Sequence, residues 1–548
     1  MIFVGSVGAV VRLIAPLISS KDNDPAVLAI DSKGVYLVPL LGGHKAGAEK
    51  ISFDLAADIG GTPILTGDSN TEGRLAIDCF GESWGWIRSG DSNDWKELMI
   101  RQVKKGECNV IQLGGSVLWR KLETSRNYLF NKKTKSEKGN LFIGSKNGYK
   151  CSWHPATLWI GIGCERNTSE KLIQRAIKDS LFQNGLSKFS VAGIASIDRK
   201  SDEKGLLQTA KANEWPIKFY SSIQLRKVSV LSPSEVVEKE MGTPSVAEAS
   251  SILSSGVEAK LISPKKIYHS NTDEVGAVTV AISESIKPFA PGRGELHLIG
   301  SGPGELAMIS HDSRSALSRS VVWIGYKLYL ELLEPIRRID QVRIDSELTC
   351  EIERCKYALE LAKQGVRVAL ISSGDSGIYG MAGLALELWL KEMPQSRPLF
   401  QVHPGISAFQ VAAAKLGAPL MHDFCCISLS DLMTPWEVIE ERIKCAAKGD
   451  FVVAIYNPKS NRRTWQLKKF IEIFLKFRLP KTPVALARQL GRSQEEIEIF
   501  DLESIPLDQV DMLSLLIVGN SQSFAKDNFF VTPRGYLSPG KSRNKQSG

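Results

Sequence analysis

Five apolar runs in the second half of the chain constrain the fold more than any other feature of the sequence. Each run is followed by a loop of small or polar residues, and helical patterns occupy the stretches between them. The runs are residues 296–299, 366–371, 451–455, 484–487 and 515–518. This alternation predicts an α/β fold with parallel strands. Because ligands bind such sheets beyond the carboxyl ends of the strands, we expect the five loops to line one site, divided between two subdomains.

The remaining sequence divides into further modules and linkers. Short apolar runs alternate with helical stretches near the N-terminus and again after residue 150, which predicts two more α/β units. The run KPFAPGRG has the composition of an inter-domain linker. The expected boundaries are 1–84 for the first unit, 85–150 for a middle region with a basic linker, 151–286 for the second unit, 287–294 for the linker, 295–530 for the largest module and 531–548 for a basic tail.

Positive charge is concentrated in two short stretches. The chain has 69 Lys and Arg against 60 Asp and Glu, a net charge of +9. Residues 121–150 contribute +6, and Lys541, Arg543 and Lys545 contribute +3, so the remaining chain is neutral on balance. Charge in linkers and tails usually serves solvation. We therefore expect no nucleic-acid partner. The alternative, nucleic-acid binding through the basic segment, predicts strongly salt-dependent affinity for any duplex.

Cysteine usage and hydropathy indicate the compartment. The nine cysteines include no CxxC pair. This pattern argues against a disulfide framework and against a structural zinc site, and it favours a reducing compartment. No uncharged stretch reaches the roughly 18 residues of a membrane span, and Arg12 interrupts the apolar start of the chain. We expect a cytoplasmic protein without a membrane partner and without a bound metal ion.

Two glycine-rich loops carry motifs that leave more than one interpretation. The run GSGPGE at residues 300–305 is not a dinucleotide fingerprint, because Glu305 stands where the third glycine belongs, and Pro303 removes a backbone donor. It is either a tight turn or a close approach of backbone to an uncharged or zwitterionic ligand. In the run GDSG at residues 374–377, Asp375 or Ser376 either caps a helix or contacts a ligand.

Several of these segments together resemble a known family. GSGPG, SGDSGIYGMAG at 373–383, LGAPLMHDFCCISLSDLMTPWE at 416–437, YNP at 456–458 and VGNSQ at 518–522 are similar to the tetrapyrrole methyltransferases of cobalamin biosynthesis. The run LSDLMTPWE most resembles the precorrin-3B (or cobalt-precorrin-3) C17-methyltransferases, and the resemblance covers residues 295–524. It implies two α/β subdomains in a tetrapyrrole methyltransferase fold, S-adenosylmethionine in the cleft, a homodimer, and C17 methylation with ring contraction.

The resemblance also implies which residues form the site. Methyl transfer from a sulfonium is a displacement in which the protein mainly aligns donor and acceptor, so no nucleophilic side chain or metal is required. Cobalt, if present, belongs to the substrate. The implied cofactor contacts are Pro303, Gly374, Asp375, Ser376, Ser407, Ala408, Tyr456, Ala487 and Arg488, and the implied tetrapyrrole contacts are Ser430, Asp431, Thr434, Asn457 and Arg492. Arg488 and Arg492 either hold substrate carboxylates through bidentate pairs or are ordinary surface arginines.

The N-terminal half resembles a second family of the same pathway, the cobalt-precorrin-5A hydrolases. The matching segments are PLLGGHKAGA at 39–48, GIGC at 161–164, ASID at 195–198 and PSVAE at 244–248. The resemblance covers residues 1–285, with 121–150 matched poorly, and from it we expect the chain to start inside the first domain of that family. It implies α/β hydrolase-like modules that open a ring lactone and release acetaldehyde from a tetrapyrrole.

Opening a lactone needs an activated water and a group that polarises the carbonyl. The candidate catalytic residues for this reaction are His44, Asp198, Lys200 and Glu203. Cys164 follows a strand without a histidine close in sequence, which makes it a weaker nucleophile candidate. The loop Glu165-Arg166-Asn167 is less basic than is usual in the family. An alternative therefore stays open, in which this half is a non-catalytic module that binds a labile tetrapyrrole.

Overall fold

The computed structural model describes residues 1–19, 23–43, 46–64, 75–105, 108–123, 128–130, 140–460 and 463–536. His44 and the basic residues Lys541, Arg543 and Lys545 lie outside the described residues. Within these ranges, every helix is too short or too polar to cross a membrane.

The first module is a four-stranded mixed sheet with two helices. Its strands are β1 (Ile2–Val4), β2 (Val27–Ile30), β3 (Tyr36–Leu41) and β4 (Thr62–Pro63), and its helices are α1 (Val7–Ile14) and α2 (Ala48–Ile59). The strands lie in chain order, with β1 parallel to β2 and β3 antiparallel to β2. All four residues of β2 are buried, because α1 and α2 pack against the sheet.

The middle module has its own sheet and an aromatic core. Its strands are β5 (Ile87–Ser89), β6 (Cys108–Gln112), β7 (Tyr128–Phe130), β8 (Asn140–Ile143) and β9 (Cys151–His154), in the order β5-β9-β8-β6-β7, and its helix is α3 (Ser92–Lys105). Trp84, Trp95, Trp119 and Trp153 are fully buried in this core. Residues 140–143 therefore form an interior strand, although the basic composition of the segment 121–150 predicted a linker. The apolar run Leu-Phe-Ile is too short to signal a strand among so many lysines.

The third module follows directly. Its strands are β10 (Leu158–Cys164), β11 (Val191–Ile197), β12 (Ile217–Tyr220), β13 (Lys260–His269) and β14 (Ala277–Glu284), and its helices are α4 (Glu170–Gln183), α5 (Lys204–Ala212), α6 (Ser222–Arg226), α7 (Glu235–Met241) and α8 (Ala247–Ser255). The sheet order is β12-β11-β10-β14-β13, in which β10, β11, β12 and β13 run in the same direction and β14 is antiparallel to both of its neighbours, β10 and β13. The α/β class is thus confirmed for the N-terminal half, and its hydrolase-like character stays a prediction.

A parallel five-stranded sheet begins after the linker. Its strands are β15 (Glu295–Gly300), β16 (Val322–Tyr326), β17 (Val342–Ser346), β18 (Arg367–Ser372) and β19 (Leu399–His403), and its helices are α9 (His311–Arg319), α10 (Lys327–Leu333), α11 (Glu351–Lys363) and α12 (Ala382–Lys391). The order is β17-β16-β18-β15-β19, and every pair is parallel. This subdomain shares a hydrophobic core with the middle module, and Gly85 lies against the backbone of Gly365.

The last subdomain has a mixed sheet. Its elements are α13 (Ala408–Leu416), β20 (Gly417–Ala418), β21 (Phe424–Ser428), α14 (Trp436–Lys448), β22 (Val452–Tyr456), α15 (Gln466–Phe474), β23 (Pro483–Arg488), β24 (Glu496–Asp501), β25 (Ser514–Val518), β26 (Phe524–Lys526) and β27 (Phe529–Val531). The main sheet has the order β21-β22-β25-β23-β24, and β20, β27 and β26 form a small second sheet.

The direction of β25 corrects one expectation. This strand is antiparallel to both β22 and β23, with Val518 opposite Val453 and Val484. Its carboxyl end therefore lies at the amino ends of its neighbours, where Ser521 bonds to Asp450. The predicted loops after β15, β18, β22 and β23 lie at the carboxyl ends of parallel strands. The loop at 519–522, after β25, lies at the opposite edge of its sheet. Apolar runs indicate strands but carry no information about strand direction.

Candidate functional site

Three loops meet at the carboxyl edge of the parallel sheet. The Gly302 N–H donates to the Gly374 carbonyl (3.1 Å), and the Gly374 N–H donates to the Gly302 carbonyl (2.7 Å). Both glycines have positive φ, +75° and +63°, a conformation that residues with a Cβ rarely adopt. These reciprocal bonds make the loops after β15 and β18 a single unit.

The third loop, after β19, enters the junction through Gly405. A Cβ at Gly405 would lie 2.1 Å from the Gly374 carbonyl oxygen, and a Cβ at Gly300 would lie 2.5 Å from the Gly405 nitrogen. Neither contact is possible, because atoms do not approach within 3 Å without a hydrogen bond. Backbone atoms alone thus form the centre of this junction.

Asp375 ties two of these loops together through its carboxylate. One oxygen accepts the N–H of Gly377 (2.8 Å), and the other accepts the N–H of Gly405 (3.0 Å). The helix that follows begins at Ala382 with Met381 as its N-cap. The helix-capping interpretation of Asp375 and Ser376 is therefore wrong, because a loop of several residues separates them from the first helical turn.

Ser376 and Tyr456 present buried polar atoms at this junction. Ser376 is fully buried, and its hydroxyl has no hydrogen-bond partner among the described residues. Ser407 is buried at the start of α13, and its N–H donates to Gln410 (3.0 Å). The Tyr456 phenolic oxygen accepts the N–H of Phe409 (3.4 Å), and burial raises the pKa of Tyr456. An unpaired hydroxyl beside exposed backbone is a place where a small polar ligand gains a hydrogen bond.

Tyr379 joins the two subdomains and was missed by sequence reasoning. Its hydroxyl donates to the Cys426 carbonyl on β21 (3.0 Å), and its ring centroid lies 5.1 Å from that of Tyr456. Tyr379 adopts a φ of +54°, and burial raises its pKa. The only signal in the sequence was its place in the run SGDSGIYG. The site residues of the two subdomains therefore belong to one contiguous region.

The loops after β21 and β22 are joined by side-chain hydrogen bonds. The Ser428 hydroxyl accepts from the Ser430 N–H (3.2 Å) and from the Asn457 side-chain amide (3.0 Å). Asn457 has a φ of +51°. Asp431 is exposed apart from a bond to the Gln466 amide (2.9 Å), and Thr434 is half-buried before α14. The predicted tetrapyrrole contacts Ser430, Asp431 and Asn457 thus lie together.

Arg463 holds this second loop pair and was also missed. Its guanidinium donates to the Asn457 carbonyl (2.9 Å) and to the Ser430 hydroxyl (3.0 Å), and it lies 3.8 Å from Asp431. Burial lowers the pKa of Arg463, and Asp431 offsets part of that effect. Nothing in the sequence distinguishes it from the many other arginines.

The two predicted arginines of the β23 region have different surroundings. Arg488 is paired with Glu496, its neighbour across the β23–β24 hairpin. Arg492 lies next to the first glycine loop, since a Cβ at Gly304 would lie 3.3 Å from Arg492 Cγ. Pro303 precedes that contact, and Ala487 is buried within the sheet. Arg492 is thus the better placed of the two to meet a ligand at the glycine junction.

A separate charged cluster lies beyond β10 and β11 in the third module. Lys200 and Glu203 are both buried, and the Lys200 ammonium lies 3.9 Å from the Glu203 carboxylate. In the described part of the chain, no carboxylate is closer to that ammonium. The other Glu203 oxygen accepts the Asn167 N–H (2.8 Å), and Arg166 lies 3.7 Å from Glu203. Burial raises the pKa of Cys164 to about 11, so this thiol is protonated at neutral pH.

The other two hydrolase candidates do not join this cluster. Asp198 is exposed at the end of β11, in a short turn that leads to Lys200. His44 lies outside the described residues. The structure thus brings together Lys200 and Glu203. Arg166 also lies in this cluster, although the sequence drew attention to it only because its loop differs from the usual loop of the family. In the described ranges no three His, Cys, Asp or Glu side chains are grouped as metal ligands.

Comparison with known proteins agrees with this division of the molecule. Residues 295–506 match the family described as Tetrapyrrole (Corrin/Porphyrin) Methylases. Residues 1–70 and 158–283 match the families described as Cobalamin synthesis G N-terminal and Cobalamin synthesis G C-terminus. A probable cobalt-factor III C(17)-methyltransferase of Salmonella typhimurium is 46% identical over 241 residues, which are 44% of this chain and 99% of that protein. The chain belongs to the tetrapyrrole methylases.

The chain covers different fractions of the length of its other relatives. The precorrin-3B C(17)-methyltransferase of a Sinorhizobium species is 35% identical over 249 residues, 44% of this chain and 97% of that protein. The cobalt-factor III methyltransferase of Priestia megaterium is 46% identical over 249 residues, but the chain spans only 45% of its length. Among solved structures, the methyltransferase CobJ is 32% identical and covers 44% of this chain and 100% of its own, with a TM-score of 0.42.

Proposed function

We propose that this chain is a bifunctional enzyme of cobalamin biosynthesis. Its methylase region transfers a methyl group from S-adenosylmethionine to C17 of precorrin-3B or its cobalt-containing counterpart, with ring contraction. Its N-terminal half opens the lactone of cobalt-precorrin-5A and releases acetaldehyde. The proposal rests on one observation: a single region of the chain aligns with nearly the whole Salmonella C17-methyltransferase, and the rest of the chain contains two matches to the cobalamin synthesis G families.

The methylase junction fits the cofactor in its chemistry. S-adenosylmethionine, when bound, supplies an activated methyl group, so the protein has to hold and align it. The unpaired Ser376 hydroxyl offers a hydrogen-bonding group without a charged side chain, and the reciprocal bonds between Gly302 and Gly374 hold the adjoining loops in place. The rings of Tyr379 and Tyr456 lie against each other at the boundary between the subdomains.

The methylation is tested with purified full-length protein, S-adenosylmethionine and each of the two C17-unmethylated tetrapyrroles, one metal-free and one with cobalt. We expect a product heavier by one methyl group with at least one of them, detected by mass spectrometry. Absence of a methylated product with both substrates would contradict the proposal. A catalytically unrelated methyltransferase in the same assay controls for substrate decay.

In the hydrolase half, Lys200 is the group best placed to polarise a lactone carbonyl. Its ammonium is buried and only loosely opposed by Glu203, so a developing oxyanion would gain a strong charge-assisted bond. We expect Lys200→Met to lower acetaldehyde release from cobalt-precorrin-5A about 100-fold. The exposed neighbour Lys204 provides a matched control, since Lys204→Met changes the same charge outside the cluster. Equal activity of both variants would remove Lys200 from the reaction.

One observation favours a second function for this half, binding without catalysis. Glu203 is occupied by the Asn167 N–H, and the Cys164 thiol is protonated, so the described cluster lacks an evident base. A binding module predicts that the wild-type chain releases no acetaldehyde and still binds cobalt-precorrin-5A. Equilibrium dialysis beside the acetaldehyde assay separates the two functions.

We also propose that the chain forms a homodimer in the cytoplasm. Light scattering of the same sample tests the homodimer, and cell fractionation tests the cytoplasmic location.

A further inference from the structure

Arg463 is a buried cation that connects the two loops proposed to face the tetrapyrrole. Its side chain is only 8% exposed. Two of its guanidinium nitrogens bond to different loops, one to the Asn457 carbonyl and one to the Ser430 hydroxyl. A planar guanidinium can make these two bonds at once, whereas a lysine ammonium cannot reach both acceptors in the same geometry.

The segment that carries Arg463 supports the same loop through two further contacts. Gln466 donates to the Asp431 carboxylate (2.9 Å), and the rings of Trp465 and Trp436 pack edge to face at 4.7 Å. Residues 463–466 thus hold the loop from Ser430 to Trp436 at both of its ends. Its tip is free, because Leu432 and Met433 are 69% and 92% exposed.

The charge of Arg463 is not fully used by the protein. Its Nε atom is buried without a hydrogen-bond partner among the described residues, and the nearest carboxylate, on Asp431, lies 3.8 Å away. A buried guanidinium that serves packing alone is usually matched by a closer carboxylate. Arg478 in the same subdomain also has a buried Nε without a partner among the described residues, but its guanidinium lies 3.0 Å from the Asp450 carboxylate.

We propose that Arg463 is a positioning residue for the tetrapyrrole: it fixes the loops of Ser430 and Asn457 relative to each other, and thereby sets the affinity for the tetrapyrrole without affecting the affinity for the methyl donor. This inference rests on the proposed methyl transfer. It separates the two ligands because the glycine junction is built from other loops, none of which bonds to Arg463 in the described structure.

The test uses Arg463→Lys in the full-length chain. We measure the dissociation constants of the C17-unmethylated tetrapyrrole by absorbance and of S-adenosylhomocysteine by calorimetry. We expect the tetrapyrrole to bind about 10-fold more weakly, the loss of one charge-assisted hydrogen bond, and S-adenosylhomocysteine to bind unchanged. Added guanidinium should restore tetrapyrrole binding to Arg463→Ala, which a general loss of packing would not allow.

Arg478→Lys is the matched control. Arg478 is buried to the same degree and bonds to the Ala447 carbonyl (2.7 Å), but it lies at the amino end of β22, opposite to Asn457. We expect this variant to bind both ligands normally. Unchanged tetrapyrrole affinity in Arg463→Lys, or equal weakening of both ligands, overturns the inference. Turnover of the wild-type chain is scored separately, so that failure of the methylation proposal is distinguishable from failure of this one.

Discussion

The glycine junction of the methylase region and the charged cluster of the third module lie at the same structural position, beyond the carboxyl ends of parallel strands. The two sites differ in the kind of atoms that form them. The centre of the junction consists of backbone atoms of four glycines: Gly300 and Gly405 are packed too closely for a side chain, and Gly302 and Gly374 have positive φ. The cluster consists of buried charges on Lys200 and Glu203. Alignment of two reactants requires rigid shape, whereas opening a lactone requires charge, and each site supplies what its proposed reaction needs.

The largest effect is expected from adding one methyl group to the junction. Gly405→Ala places a Cβ 2.1 Å from the Gly374 carbonyl oxygen, so the loops have to separate. We expect the affinity for S-adenosylhomocysteine to fall about 100-fold or more, measured by calorimetry. Gly383→Ala is the control, because this glycine lies in α12 with no atom near the added Cβ. It should keep full affinity and gain stability. Normal binding by Gly405→Ala would show that rigidity of the junction is unimportant.

The next effect tests whether the junction uses any side chain at all. The Ser376 hydroxyl has no partner within the described chain, so Ser376→Ala should leave the melting temperature unchanged. We expect affinity for S-adenosylhomocysteine to fall about 5-fold, the value of one neutral hydrogen bond. Ser320→Ala removes a buried hydroxyl that donates to the Ala316 carbonyl away from the junction, and it should show the reverse pattern. Loss of stability without loss of affinity in Ser376→Ala contradicts a ligand role.

A smaller effect is expected in the charged cluster when Glu203 loses its charge. Glu203→Gln retains an oxygen to accept the Asn167 N–H, so the loop should keep its conformation. If Lys200 is the active group, acetaldehyde release should fall less than about 5-fold, far less than in Lys200→Met. A loss as large as that of Lys200→Met would instead identify Glu203 as the base. The acetaldehyde assay on both variants decides between these outcomes.

The smallest effect concerns a contact between the first module and the methylase region. His311 on α9 lies 2.9 Å from Asp58 on α2, and this partner raises the pKa of His311. A raised pKa means that the contact stabilises the fold below the ordinary histidine pKa and loses this effect as the pH rises through the raised value. Asp58→Asn should therefore lower the stability at pH 5.5 by roughly 0.5 kcal/mol, a value suited to an exposed pair, and leave it unchanged at pH 8.5. A pH-independent difference in thermal unfolding would assign the effect to packing.

Much of the first site could be predicted from the residues, because its parts are local. A glycine run after an apolar run indicates a tight loop after a strand, and the structure confirms this for the loops after β15 and β18. Tyr379 and Arg463 could not be found in this way. Their roles depend on Cys426 and Ser430, partners that are distant in sequence and are reached through the meeting of separate loops.

The sequence by itself determined the α/β class and the glycine loops, since each depends on neighbouring residues and on backbone conformations that only certain residues adopt. Tertiary structure alone decided the direction of β25, the interior position of β8 and the different contacts of Arg463 and Arg488. Strand direction follows from how distant segments pair, and the use of a buried charge follows from what surrounds it. Both are properties of packing between segments that are far apart in the chain.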